Sequence, residues 1–382
     1  MPHLDGIVHF PCDAQGSPFF CALAAVLTPA LGYTENTPHY CAPKGQMCTG
    51  CGECGKQTML QRHFCNLYHV YQTISGVSFG WAWPEDSTTP YQTVENKGPG
   101  WDWPDEFIAF LLGFAGLIWR RFSGRDVIDA KDEVYHAVAQ SIDAGVPALL
   151  KLGQGPDWHV VTGYENGVLY GLDSHEHFDA AVHPTVAPAY YTEDGRFVLP
   201  NWQEQLRHAI VITGKSAPSV TLRQVLERIL RVLDHPAHGW VAKEVARRIE
   251  GISPQNARHT AQWFNQVVSF PIEARWHAAE AFCPVGSPLY PPGTSEDVKR
   301  YLGEPLFARY IKNDNNETHG TCWKIWGLLD VSPQTGYRVG PAAEEQLLRP
   351  GTQRALKELF ALVFENDRAV AGAIRSVLED RG

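Results

Sequence analysis

The stretch Trp158-His159-Val160-Val161-Thr162-Gly163-Tyr164, followed after Glu165-Asn166-Gly167 by Val168-Leu169-Tyr170-Gly171-Leu172-Asp173, decides how the chain is read. Two runs rich in β-branched and aromatic residues, parted by Asn-Gly, predict a β-hairpin. Two registers are open. A two-residue Asn166-Gly167 turn pairs His159 with Ser174 and turns Asp173 to the other face. A three-residue loop, Glu165-Asn166-Gly167, with Gly167 left-handed in a bulge, pairs His159 with Asp173. In that register the carboxylate can orient the imidazole and stabilise its charged form.

Further strands are predicted around the hairpin at Pro147–Leu152, Arg196–Leu199 and Ala209–Thr213. Upstream lie helical patterns: Pro18 to Leu31, Thr58 to Ile74, Pro104 to Trp119, and Asp129 to Ala144 with Asp129 as its cap. Helices first and antiparallel strands second is an α+β layout. A small-polar stretch, Gly214-Lys215-Ser216-Ala217-Pro218-Ser219, then marks a boundary. Beyond it Leu222, Val225, Leu226, Ile229, Leu230 and Leu233 recur at the spacing of one helix face. Helical patterns follow at Ala257–Phe282 and Gln353–Leu378, and Thr321 to Trp326 reads as a buried helix start. The expected domains are therefore residues 1–215, α+β, and 216–382, all-α. A chain of 382 residues exceeds the length at which one core keeps growing, which agrees with two domains.

Seven of the nine cysteines fall in the first 65 residues. Structural thiols behave as small buried hydrophobes and have no reason to crowd one end, so the crowding points to chemistry. Cys21 sits in the first turn of the helix that Ser17-Pro18 would start, where unpaired N–H groups and the helix dipole favour a thiolate. Gln15, six residues earlier, is near enough for its amide to share an oxyanion site with the Cys21 backbone N–H.

The order Gln15, Cys21, His159, Asp173 resembles the papain-like cysteine peptidase superfamily. His159-Val160-Val161-Thr162-Gly163-Tyr164 followed by Asp173 is similar to bacteriocin-leader peptidase domains. Ile74-Ser75-Gly76-Val77-Ser78-Phe79 resembles the Ser-Gly-x-x-Phe segment of the butirosin biosynthesis protein H N-terminal family, which are acyltransferases. The resemblance covers roughly residues 1–215 and departs at Ala22-Leu23 after the cysteine and at the cysteine-rich loop. It implies a papain-like catalytic domain in which Cys21 attacks an acyl carbon. Gln15 and a backbone N–H would hold the oxyanion, His159 would move the proton, and Asp173 would orient His159. The reaction would be hydrolysis or amide-forming acyl transfer on an amide, ester or thioester, with a small-molecule or peptide acyl substrate, free or carrier-bound. The alternative is a non-catalytic binding protein on the same fold.

Cys41, Cys48, Cys51 and Cys54 form C-x6-C-x2-C-x2-C among glycines, a spacing that wraps four sulfurs around one tetrahedral ion. Structural Zn²⁺ is expected, with an iron–sulfur cluster as runner-up and His39, His63 or Cys65 as substitute ligands. Trp158, beside His159, and Trp81 and Trp83 are candidates to line an acyl pocket, although indoles on loops more often pack as core.

Composition bounds the partners. Thirty-two basic against 42 acidic side chains, net −10, argue against nucleic acid and anionic membranes. No apolar run reaches the ~18–20 residues of a membrane span. The N-terminus Met1-Pro2-His3-Leu4-Asp5 lacks the basic and apolar regions of a secretory signal, so the cytoplasm is expected.

Overall fold

The computed structural model describes residues 2–9, 18–41, 46–49, 58–80, 103–124, 127, 129–153, 158–172, 192, 197–199, 201–282, 287–310, 320–332, 335 and 339–379. They form two compact units. The first takes the described residues before 69 and those from 108 to 219; the second takes 69–80, 103–107 and those from 220 onward.

The first unit begins with α1 (Pro18–Ala30) and a small antiparallel pair, β1 (His39–Cys41) with β2 (Gln46–Cys48). α2 (Met59–Ile74) starts at a capping box: Gln61 N–H donates to Thr58 Oγ1 at 3.2 Å, and Thr58 N–H donates to Gln61 Oε1 at 2.8 Å. α3 (Asp105–Ala115) stops at Gly116, whose φ of 66° ends the helix and sends the chain into β3 (Leu117–Ser123). The predicted helix to Trp119 is thereby corrected: its last four residues, from Gly116, are a turn and the start of an edge strand. The remaining elements are α4 (Lys131–Asp143), β4 (Ala148–Leu152), β5 (Trp158–Glu165), β6 (Val168–Gly171), β7 (Phe197–Val198), the short α5 (Trp202–Gln205) and β8 (Leu206–Lys215). Residue Ala130 caps α4 without a side-chain bond, so Asp129 does not play the capping role its type suggests.

One six-stranded sheet, wholly antiparallel, runs β3-β8-β4-β5-β6-β7. Val134, Val138 and Ile142 of α4 pack with Ala148, Leu150, Val161, Ala209 and Val211, the residues of one sheet face. The boundary stretch is tied back to this unit, since Ser216 N–H donates to the Gly116 carbonyl at 2.7 Å and Ser219 N–H to that of Gly113 at 2.9 Å.

The hairpin uses neither simple register. Glu165 pairs with Val168, so the loop is Asn166-Gly167 alone, both residues at positive φ (47° and 84°). Further along, Gly163 pairs with Tyr170 but Val161 pairs with Gly171, so Thr162 is an extra residue bulged out of β5. Residues 2–4 take up the side of β5 beyond the end of β4: Leu4 N–H donates to the Thr162 carbonyl at 2.8 Å and Tyr164 N–H to that of Pro2 at 3.3 Å. The bulge restores the registry that a three-residue loop would have given, by another route.

The second unit is helical: α6 (Leu222–Leu233), α7 (Ala237–Glu250), α8 (Ala257–Ala281), α9 (Glu296–Tyr310), α10 (Thr321–Leu328), α11 (Ala343–Leu347) and α12 (Pro350–Glu379). A capping box at Thr221/Gln224 starts α6, and its apolar stripe buries Val225, Leu226, Ile229 and Leu233. The turn 75–80 belongs here, held by two arginines: Arg228 Nε donates to the Ser75 carbonyl at 2.7 Å, and Arg275 Nη2 to the Phe79 carbonyl at 3.1 Å. Arg275, fully buried, also grips Asp367 of α12 at 2.7 Å. No helix among the described residues is long and apolar enough to cross a membrane.

Candidate active site

Cys21 is the fourth residue of α1, in its first turn, as the Ser17-Pro18 start requires, and it is fully buried. Two residues before it, Phe19 meets Trp158 edge-on with ring centroids 5.2 Å apart. That contact brings the N-terminal end of α1 to the first residue of β5. Trp158 is therefore a core ring under the helix start, packed and not open.

His159 follows Trp158 on β5 and is half-buried. Strand alternation sets it on the opposite face, with its cross-strand partner Leu150 and with Val161. The pair Val161–Gly171 belongs to the register in which 159 faces 173, and Leu172 N–H donates to the Val160 carbonyl at 3.0 Å in the same register. Asp173 lies outside the described residues, as do Gln15, Trp81, Trp83, Cys51 and Cys54. Cys41 ends β1, and only its backbone is described.

The sheet face toward Phe19 carries polar groups that the sequence reading passed over. Lys151 of β4 lies directly opposite Trp158 on one side and His208 of β8 on the other. Lys151 is only 1% exposed. The rings of Trp158 and His208 lie nearly parallel, with centroids 6.2 Å apart. Arg121 of β3 brings Nη2 to 3.3 Å from His208 Nδ1. A lysine inside the apolar run Ala148-Leu149-Leu150-Lys151-Leu152 was the available signal.

At the cysteine loop, His39 pairs with Cys48 across β1–β2. His39 Nε2 is buried with no hydrogen-bond partner. Burial, then the charges of Arg62 and His63, lower its pKa and keep the imidazole neutral. His63 lies 3.0 Å from the Thr37 carbonyl through Nε2 and stacks on Tyr33 with ring centroids 4.4 Å apart. A neutral imidazole facing a thiol fits a Cys/His zinc set, although among the described residues no three His, Cys, Asp or Glu side chains are grouped to hold an ion.

Compared with protein-family models, with curated proteins and with solved structures, the chain matches none.

Proposed function

We propose that this protein is a cysteine-nucleophile acyl-transfer enzyme on a papain-like fold. The observation that supports it most is the Phe19–Trp158 contact, which sets the turn carrying Cys21 against the start of β5; His159, the next residue, lies on the other face of the sheet. In the proposed cycle the Cys21 thiolate attacks the acyl carbon and forms a C–S bond. Gln15 and a backbone N–H hold the oxyanion, and the C–X bond breaks as His159 gives its proton to the leaving group. Water or an amine then attacks the thioester, loses its proton to His159 and frees the thiolate. Asp173 would hold and orient His159.

The cysteine loop is proposed as a structural Zn²⁺ site, with Cys41, Cys48, Cys51 and Cys54 as ligands and His39 able to replace one. The ion would fix the loop and take no part in acyl transfer.

The full burial of Cys21 favours a second reading, a binding protein that keeps the fold without the chemistry. Acetyl-N-acetylcysteamine thioester separates the two. Acyl transfer predicts a hydroxylamine-labile +acetyl adduct on the Cys21 peptide, absent from Cys21→Ser. An unmodified Cys21, or an adduct on Cys65 in its place, sinks the proposal.

A further inference from the structure

β1 and β2 set His39 directly opposite Cys48. Direct cross-strand partners share a face and keep their Cβ atoms about 4.5–5.5 Å apart. Met47, one residue before Cys48, points the other way and is half-exposed, whereas His39 is 9% exposed. The His39–Cys48 face is therefore the inner face of this strand pair.

Two buried polar atoms here, His39 Nε2 and Arg62 Nε of α2, have no hydrogen-bond partner among the described residues. Helix and strand meet where His63, next to Arg62, lies 3.0 Å from the Thr37 carbonyl through Nε2, two residues before His39. Burial, then the charges of Arg62 and His63, keep the His39 imidazole neutral, with a ring lone pair to give. The guanidinium can only donate. Buried polar atoms are ordinarily satisfied, so one centre has to answer both: it accepts a lone pair from the imidazole and offers one to the arginine. A metal thiolate does this, through the ion and through its sulfur.

We propose that His39 Nε2 is a zinc ligand in place of Cys41, giving one imidazole with the thiolates of Cys48, Cys51 and Cys54, and that Arg62 donates to a bound sulfur. The assignment rests on the zinc reading of the cysteine loop. With Zn–N and Zn–S bonds of about 2.0 and 2.3 Å, two ligand atoms on a tetrahedral ion lie about 3.5 Å apart, a separation that an imidazole and a thiol from directly opposed positions meet. Position 41 pairs with Gln46 and is only diagonal to Cys48. Diagonal neighbours are about 7–8 Å apart, which two short cysteine arms bridge only when stretched almost in line. Zn²⁺ with three thiolates carries one net negative charge, which a single buried guanidinium matches.

The test uses the full chain with Zn²⁺ and Co²⁺ as probes. Competition with a chromophoric chelator reads affinity, and the near-ultraviolet thiolate-to-cobalt charge-transfer band counts thiolate ligands. Wild type should hold about one ion per chain, with three thiolates counted. His39→Ala should weaken zinc by more than about 100-fold, beyond the loss expected for an outer-shell residue. His39→Cys should regain binding and raise the count to four, which separates a lost ligand from a lost fold. Cys41→Ser should bind as wild type does. Arg62→Met should weaken binding about 10–100-fold with the count unchanged. If wild type counts four thiolates, or if Cys41→Ser loses the ion while His39→Ala keeps it, the ligand set is wrong and the zinc site itself stands. An Arg62→Met variant that binds as wild type does removes the arginine from the site. If wild type takes up neither ion, the zinc reading of the loop fails and the assignment falls with it.

Discussion

Val161 lies opposite Gly171, whereas two residues on, Gly163 lies opposite Tyr170, so Thr162 is the single residue that sets the registry of β5. On the proposed reading Asp173 orients His159, and Asp173→Asn should leave the fold intact while disturbing the tautomer and orientation of His159. The corresponding change in serine-protease triads costs about 10⁴ in turnover, and an already acidic thiolate loses less. We expect a loss of Cys21 acylation rate between about tenfold and that ceiling, with His159→Ala worse. Full activity in Asp173→Asn would send the orienting role elsewhere. His208→Ala is the companion measurement, because His208 lies on the Trp158 face; a larger loss there than in His159→Ala would reassign the base.

The hairpin turn gives a stability test of the same region. At Gly167 φ is 84° and an added Cβ would meet nothing within 4 Å, so the cost of Gly167→Ala is conformational alone. It should be about 1 kcal/mol by urea unfolding, and Gly167→Asn should cost less, since Asn tolerates the left-handed region. A neutral Gly167→Ala would mean that the Asn166-Gly167 turn is not formed in solution.

How far the sequence could be read follows from how local each feature is. The hairpin, the start of α1 and the stripe of α6 are written in neighbouring residues, and each was legible. β3 was not, because Leu117-Ile118-Trp119 prolongs the apolar run of α3, and a short apolar run does not distinguish helix from strand; Gly116 alone marks the change. The Thr162 bulge depends on where β4 ends and on residues 2–4 arriving from far away in sequence. Likewise the Lys151 row exists only because β8 and β5 flank β4, an order that no local pattern encodes. The face of His159 shows the same limit: alternation is legible, but which face meets α1 is a tertiary fact.

Zinc at the cysteine loop predicts about one ion per chain by elemental analysis, and its loss from Cys48→Ser. A chelator should lower the melting temperature before it lowers the rate of Cys21 acylation. A brown protein absorbing near ~420 nm would point to iron–sulfur instead.

Arg275 and Asp367 are both buried, joined at 2.7 Å, and the arginine also serves the carbonyls of Phe79 and, at 3.4 Å, Gly80. Removing one partner of such a pair leaves an uncompensated buried charge, worth about 3–5 kcal/mol. Asp367→Asn should therefore lower the urea midpoint steeply. Glu227→Gln, which breaks the exposed pair with Arg223 at 2.9 Å, should cost about 1 kcal/mol at most. Equal effects from the two would contradict the burial of Arg275.

Acid should unfold this protein through its buried histidines. His69 Nδ1 and His277 Nδ1 lie 2.7 Å apart in the core, an arrangement that one shared proton satisfies. Burial pushes His277 down to about 3, and burial followed by the charge of His277 pushes His69 well below its ordinary value. Burial likewise takes His238 down to about 4, with Asp367 at 3.7 Å opposing the shift. All three stay neutral in the fold while the unfolded chain protonates them below about pH 6.5. Stability from these groups is thus complete above that pH and falls as pH drops toward 4, by about 1.4 kcal/mol per unit for each histidine. Glu280 works the other way: burial raises it to about 7, so the fold holds a proton there that the unfolded chain releases above about pH 4.5. Between pH 4.5 and 6.5 three histidines outweigh one glutamate, and stability must rise with pH. Urea unfolding at pH 5.0 and 7.5 measures the slope. His277→Leu should flatten it by about half, since one of a net two protons is removed, even if it destabilises the protein at both pH values. A slope unchanged in His277→Leu would show that this histidine is already charged, or exposed, in the folded state.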